Sequence, residues 1–297
     1  MKRKLVKQAG QAVTITLPID WIRKHNLKPG DEIDLLENDN NIILTSEKKS
    51  KGGSIDLDLK GYSWRMKNLF MNAAYAKGYD EVKMESSKND YPYLNQYMGY
   101  AVVSQKQDLF TVRDISGVSG ENLDEIFKRI FQRLIGIYDS AIEDIFGKEQ
   151  ATEDTLRRLD EEINKLALFL ERSIMKSSYP DSSIGRIIFA YAFELERLGD
   201  NIVRLWRTNI NEKVLKTSQL KEIVNISRQS LQKAFEIYYQ YSPDRVAEIV
   251  KLKQLVREKC KKITKLNPAT SFFIKYSTNI VEDCADLTQL SLMRRMK

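Results

Sequence analysis

Two pairs of carboxylates in the second half of the sequence have the residue types and the spacing that could bind a metal ion. Glu196 and Asp200 lie four positions apart, and Glu282 and Asp286 repeat this spacing. Four positions place both side chains on one face of a helix. Like charges in this arrangement repel each other by roughly 0.3 kcal/mol, and a bound cation would remove the repulsion. Both pairs are therefore candidate cation sites.

The sequence offers further oxygen ligands to the first pair. Asp160 and Asn164 are also four positions apart, and a neighbouring helix could bring them to Glu196 and Asp200. Oxygen ligands suit Mg²⁺ and Mn²⁺, while iron and zinc stay open. The expected cofactor is therefore a metal ion of one of these kinds.

The second pair has no comparable ligands in the corresponding helix. That segment offers basic side chains instead, namely Lys251, Lys253, Arg257 and Lys261. For both pairs, the alternative is that the carboxylates are solvated or pair with lysine and arginine.

Long helices must position these residues. From Glu121 onward, apolar residues recur every three or four positions, and Pro180, Pro243 and Pro268 fall between such stretches. The pattern predicts a bundle of two three-helix sets with short connections. The six predicted helices span 121–146, 149–176, 182–208, 213–240, 243–266 and 269–295.

The two acidic motifs resemble those of the PhoU family, in which each of two three-helix repeats carries an E-x-x-x-D motif. Residues 196–200 (E-R-L-G-D) match the common form E-R-[IL]-[GA]-D, whereas 282–286 keeps the acids but has Asp283 in place of the arginine. The resemblance covers about residues 121–296. It implies an all-α, PhoU-like domain over 121–297 that regulates phosphate uptake and can hold metal ions.

A second candidate site is a basic cluster at the N-terminus, whose charge suits phosphate groups. No acidic residue precedes Asp20, and the whole chain carries a net charge of +7. Positive side chains that contact phosphates release counterions and so bind nucleic acid. The candidate DNA-binding residues are Lys2, Arg3, Lys4, Lys7, Arg23 and Lys24. The alternative is that they form a solvated face.

The elements around this cluster are short and β-rich. Residues 13–17 alternate as a strand that Pro18 ends, 20–26 form a short helix, and 33–36 with 42–45 form a hairpin. So few residues bury little core alone, which favours dimerisation.

Residues 1–47 resemble the SpoVT/AbrB-like swapped-hairpin domain, chiefly through V-T-I-T-L-P at 13–18 and L-K-P-G-D-E at 27–32. In that family two chains interlock into one β-barrel, and basic residues on the barrel bind double-stranded DNA. The resemblance therefore implies a homodimer.

Residues 54–117 alternate between strand-like and helix-like stretches and predict a small α/β domain. They contain no glycine-rich phosphate loop and no nucleophile motif. The predicted fold is thus multidomain α+β, with a β-barrel head, this α/β domain and a helical bundle.

Other function classes are disfavoured. No apolar run is long enough to cross a membrane, and no signal core follows the N-terminus, so we expect a cytoplasmic protein without membrane insertion. Ferritin-like di-iron enzymes need Glu-x-x-His pairs, and residues 121–297 contain no histidine, so no catalysis is expected.

The sequence therefore predicts a DNA-binding transcriptional regulator of phosphate homeostasis with a metal-binding sensor bundle. The alternative is a signalling adaptor whose head only dimerises and whose bundle contacts a phosphate transporter or kinase.

Overall fold

The chain folds into two compact units, an N-terminal unit, Met1–Gly53, and a C-terminal unit, Ser54–Lys297. The computed structural model describes residues 2–8, 10, 12–38, 41–46, 53–85, 94–116, 123–147, 153–176 and 182–296. In this part of the chain there are eight strands and eight α-helices, so the α+β class is confirmed.

The N-terminal unit contains two antiparallel strand pairs and one short helix. Strand β1 (Val6–Lys7) pairs with β2 (Val13–Thr14), and β3 (Ile33–Asn38) pairs with β4 (Asn41–Ser46). Helix α1 (Ile19–Lys24) lies between them in sequence. The predicted hairpin is confirmed, whereas the strand predicted over 13–17 is shorter, because β1 offers it only two partners. Within the described residues of one chain, these strands do not close into a barrel.

This unit has no core of its own. Among the side chains that the structure describes in it, none is buried. Seven large apolar residues are more than half exposed, namely Leu5, Val6, Val13, Ile15, Ile19, Leu35 and Ile42. Apolar surface left in water in this way stabilises nothing until a partner covers it.

The C-terminal unit begins with a four-stranded sheet in the order β5-β6-β8-β7. Its strands are β5 (Ser54–Asp58), β6 (Glu81–Glu85), β7 (Tyr100–Lys106) and β8 (Leu109–Asp114). Strands β5 and β6 are parallel and are joined by helix α2 (Trp64–Lys77), while the other pairs are antiparallel. Tyr75, Val82, Phe110 and Val112 fill the core beneath the sheet.

Six long helices follow, as the apolar periodicity predicts. They are α3 (Leu123–Phe146), α4 (Glu153–Met175), α5 (Ser182–Asn211), α6 (Ser218–Tyr239), α7 (Pro243–Lys261) and α8 (Pro268–Arg295). The predicted start of α6 at 213 is early, because Thr217 caps the helix by accepting a hydrogen bond from the Leu220 amide. The predicted end of α7 at 266 is late, since the helix stops at Lys261.

The bundle core is aromatic at one end. The rings of Phe127, Tyr191 and Tyr238 pack against one another with centroids 5.1–5.8 Å apart. The Tyr191 hydroxyl donates to the Leu287 carbonyl at 2.6 Å, so this core also joins α5 to α8. None of the described helices combines the length and the hydropathy needed to span a bilayer.

Arg172 of α4 joins the sheet to the bundle. Its side chain is 4% exposed, and its guanidinium donates to the carbonyls of Tyr75 and Tyr79 at 3.0 and 2.8 Å. It also contacts the carboxylates of Asp80 at 3.0 Å and Asp114 at 2.8 Å. The predicted boundary between the α/β and helical domains, at 117–121, lies outside the described residues and stays a prediction.

Candidate cation site and DNA-binding surface

Close packing of α4 against α5 surrounds the first acidic pair. Gly199 faces this contact: a Cβ at that position would lie 3.4 Å from Cγ2 of Ile163 in α4, so a small residue fits there and a larger side chain would meet α4. The small residue before Asp200 therefore serves helix contact, as the spacing suggests. Asp160 and Asn164 lie on the same helix as Ile163, so all four predicted ligands come from this one helix pair.

The carboxylates of this site interact electrostatically. Burial, and then the nearby charge of Asp200, raises the pKa of Asp160 to about 6. Burial, and then the charges of Asp200 and Asp160, raises the pKa of Glu196. Arg204 forms an ion pair with Asp200 from one turn further along α5. The structure thus brings three of the predicted ligands into one electrostatic cluster that is only partly neutralised.

Acceptor oxygens at this site lack donors. The Oδ1 atoms of Asp160 and Asn164 are buried and have no hydrogen-bond partner among the described residues. A buried acceptor without a donor costs about 1–3 kcal/mol. A hard cation accepts such oxygens as ligands, so the donor set fits Mg²⁺ or Mn²⁺.

Glu171 is a further buried acid that the motif does not contain. Its side chain is 2% exposed, and its Oε1 atom has no partner among the described residues. Burial, and then the charge of Glu196, raises the pKa of Glu171 to about 8. The one sequence signal is its position seven residues after Asn164, which keeps it on the same face of α4.

The second predicted pair is arranged differently. Glu282 forms an ion pair with Arg257 of α7, while Asp286 lies 3.4 Å from Arg197 of α5. Each carboxylate therefore contacts a different arginine. An ion held by Glu282 and Asp286 together stays a prediction.

Another acidic group gathers beside that pair. Oxygen atoms of Glu194, Asp283 and Asp286 lie within 4.8 Å of one another. Arg197 forms ion pairs with all three and lies 2.9 Å from Asp283, which also accepts a hydrogen bond from Asn201 at 2.7 Å. A guanidinium thus supplies the positive charge that this group requires.

The six basic residues predicted to contact DNA are all exposed. Four precede or lie in β1, and the other two end α1; they are Lys2, Arg3, Lys4, Lys7, Arg23 and Lys24. Within the described part of the N-terminal unit, none forms an ion pair. Their side chains are in contact with solvent.

The comparisons with known proteins bear on this unit alone. Residues 6–52 match the family model described as "Antidote-toxin recognition MazE, bacterial antitoxin". This match supports the AbrB-like identification of the N-terminal unit and indicates a DNA-binding or antitoxin-type regulator. Domains of this kind typically dimerise and bind DNA. No curated protein and no solved structure matches the chain significantly.

Proposed function

We propose that this chain is a DNA-binding transcriptional regulator of phosphate uptake, with a cation-responsive helical unit. The observation that carries the proposal is that the family match, over 6–52, includes three of the six exposed basic residues, Lys7, Arg23 and Lys24, while the other three directly precede it. Phosphate contacts by such residues supply most of the affinity of non-specific DNA binding.

Dimerisation completes the DNA-binding unit in this proposal. The exposed apolar side chains of β1 to β4 and the lack of a buried residue among those described support a two-chain barrel. A dimer doubles the basic cluster to two copies on one body. Twofold proteins of this kind bind two related half-sites on a duplex.

The helical unit is the sensor in this proposal. The E-R-L-G-D motif and the buried oxygens of Asp160 and Asn164 support a divalent cation at the first acidic site. Helix α4 carries these ligands and, further along, Arg172, which binds the sheet. A shift of α4 on cation binding would therefore also move Arg172 and its contacts with the sheet. The resemblance of residues 121–296 to PhoU supplies the link to phosphate.

Gel-shift titration with promoter DNA of phosphate-uptake operons tests the regulator against the adaptor. The regulator shifts these duplexes more strongly than scrambled duplexes of equal length. An adaptor shifts neither and instead co-purifies with components of a phosphate transporter or with a kinase.

The description of the matching family favours a second candidate, an antitoxin-type regulator. Such a protein would bind its own promoter and a toxin partner. Including the chain's own upstream DNA in the same titration separates the two. Preference for that DNA over the phosphate-operon promoters supports the antitoxin type.

A further inference from the structure

The outer face of α2 and the turn before it carry a patch of large exposed side chains. Leu69 is 69% exposed, and Tyr62, Met66 and Phe70 are each more than 40% exposed. The rings of Tyr62 and Phe70 stack with their centroids 6.1 Å apart. We call these four residues the α2 patch.

The fold of the C-terminal unit does not account for the α2 patch. The opposite face of α2 buries Lys67, Met71, Ala74 and Tyr75. This buried face already meets the packing needs of the helix. Single exposed apolar residues are ordinary, but Met66, Leu69 and Phe70 share one helix face and the Tyr62 ring stacks on Phe70, so they form a surface of the kind that partners cover.

The composition of the patch fits a protein partner. Residues 62–70 include three aromatic residues, Met66 and the exposed Arg65, and no acidic residue. Aromatic residues, methionine and arginine are enriched at the centre of protein interfaces, whereas lysine is depleted. Lipid-binding helices are instead rich in lysine or arginine on their polar face, and Lys67, which lies within this stretch, is buried.

We propose that the α2 patch packs against the α2 patch of a second copy of this chain. A twofold contact joins the same surface on both copies, so a patch without opposite charges can satisfy itself. Arg65 of one copy can then lie over an aromatic ring of the other.

The length of the connecting peptide supports a second copy as the partner. Strand β4 ends at Ser46 and β5 begins at Ser54, so only seven residues lie between the last strand of the N-terminal unit and the first strand of the C-terminal unit. If the N-terminal units dimerise, as the proposed function requires, these short tethers hold two C-terminal units at millimolar effective concentration. At that concentration, even a weak contact between two α2 patches stays formed. The inference rests on the proposed function for this tether.

Cysteine cross-linking in the full-length protein tests the contact. Ser63 is exposed at the edge of the patch, and its side chain makes no capping hydrogen bond, so Ser63→Cys should leave the fold intact. Ser218→Cys, at an exposed position in α6, is the matched control. Cys260 is half-buried and is replaced by serine in both proteins, whereas Cys284 is buried and stays.

A short bismaleimide should join two copies of the Ser63→Cys protein with a yield about tenfold above that of the control, because the contact raises the local concentration of the introduced thiols. Adding Leu69→Lys should reduce the yield to the control level, while sedimentation still reports a dimer held by the N-terminal units. A dimer that gives no cross-link above the control overturns the α2 contact and leaves the proposed function standing. A cross-linking yield that Leu69→Lys does not change also overturns the α2 contact and leaves the proposed function standing. A wild-type monomer at micromolar concentration contradicts the N-terminal dimer itself and, with it, the tether.

Discussion

The guanidinium of Arg197 lies 2.9 Å from the carboxylate of Asp283 and so joins α5 to α8, the two helices that carry the acidic motifs. Asp283 occupies the position where the first motif has its arginine. The second acidic group thus receives a cation from the protein, whereas Asp160 and Asn164 keep buried oxygens without donors among the described residues. This difference predicts tighter binding of a divalent cation at the first site than at Glu282 and Asp286.

Replacing Arg197 by methionine should lower the free energy of unfolding by about 1–2 kcal/mol, because Asp283 is buried and would lack its charged partner. The effect stays moderate, since the Arg197 side chain is 47% exposed and Asn201 still donates to Asp283. Urea denaturation measures it. Arg129→Met, which breaks an exposed ion pair with Glu125, should change stability by less than about 0.5 kcal/mol. Equal effects of the two variants would count against a stabilising contact between Arg197 of α5 and Asp283 of α8.

Metal titration should separate the two acidic sites. Mn²⁺ or Mg²⁺ should raise the melting temperature of the wild type. At a metal concentration a hundred times the dissociation constant, the free energy of unfolding should increase by about 2.7 kcal/mol. Glu196→Gln with Asp200→Asn should remove most of this increase. The matched double variant Glu282→Gln with Asp286→Asn should keep it. Melting curves that are insensitive to metal in the wild type, or equally sensitive in the first double variant, contradict the site.

The stability of the metal-free protein should depend on pH through Glu171. Its pKa is raised from the ordinary value of 4.5 to about 8, so the folded state holds a proton that the unfolded state has released. Stability therefore falls as pH rises between these values. Denaturation at several pH values should show this decline in the wild type and a weaker one in Glu171→Gln. A decline of the same size in both proteins rules out Glu171 as its source.

Arg172→Met should be the most damaging single change among these, destabilising the fold by about 3 kcal/mol, because it removes the buried donor to the Tyr75 and Tyr79 carbonyls and leaves the half-buried Asp80 and Asp114 with Lys176 alone. Lys176 also contacts Asp80 and Asp114 but is more exposed, so Lys176→Met should cost about 1 kcal/mol. Thermal or urea unfolding measures both. Similar effects of the two variants would mean that Arg172 is not the main stabilising contact between the sheet and the bundle.

Periodicity in the sequence predicts all six bundle helices, because each must bury an apolar stripe. It does not reveal that Glu171 and Arg172 are buried, since the groups that contact Arg172 come from distant segments, such as Asp80 and Asp114. The spacing of Glu282 and Asp286 places them on one helix face, but long side chains from α7 and α5 decide what each one contacts. No buried side chain is found in the described part of the N-terminal unit, and the proposed second chain would cover its exposed apolar strands.

The salt dependence of duplex binding tests the central claim most directly. The quadruple variant with Lys2, Arg3, Lys4 and Lys7 replaced by alanine should fold normally, since all four side chains are exposed. Fluorescence anisotropy with one labelled duplex over a range of salt concentrations gives the slope of log affinity against log salt for each protein. The slope should become shallower by about 0.9 for every DNA phosphate that the variant no longer neutralises, and affinity should fall. Arg197→Met, in the helical bundle, should leave the slope at the wild-type value. Equal slopes for the wild type and the quadruple variant would contradict the account of this chain as a DNA-binding regulator.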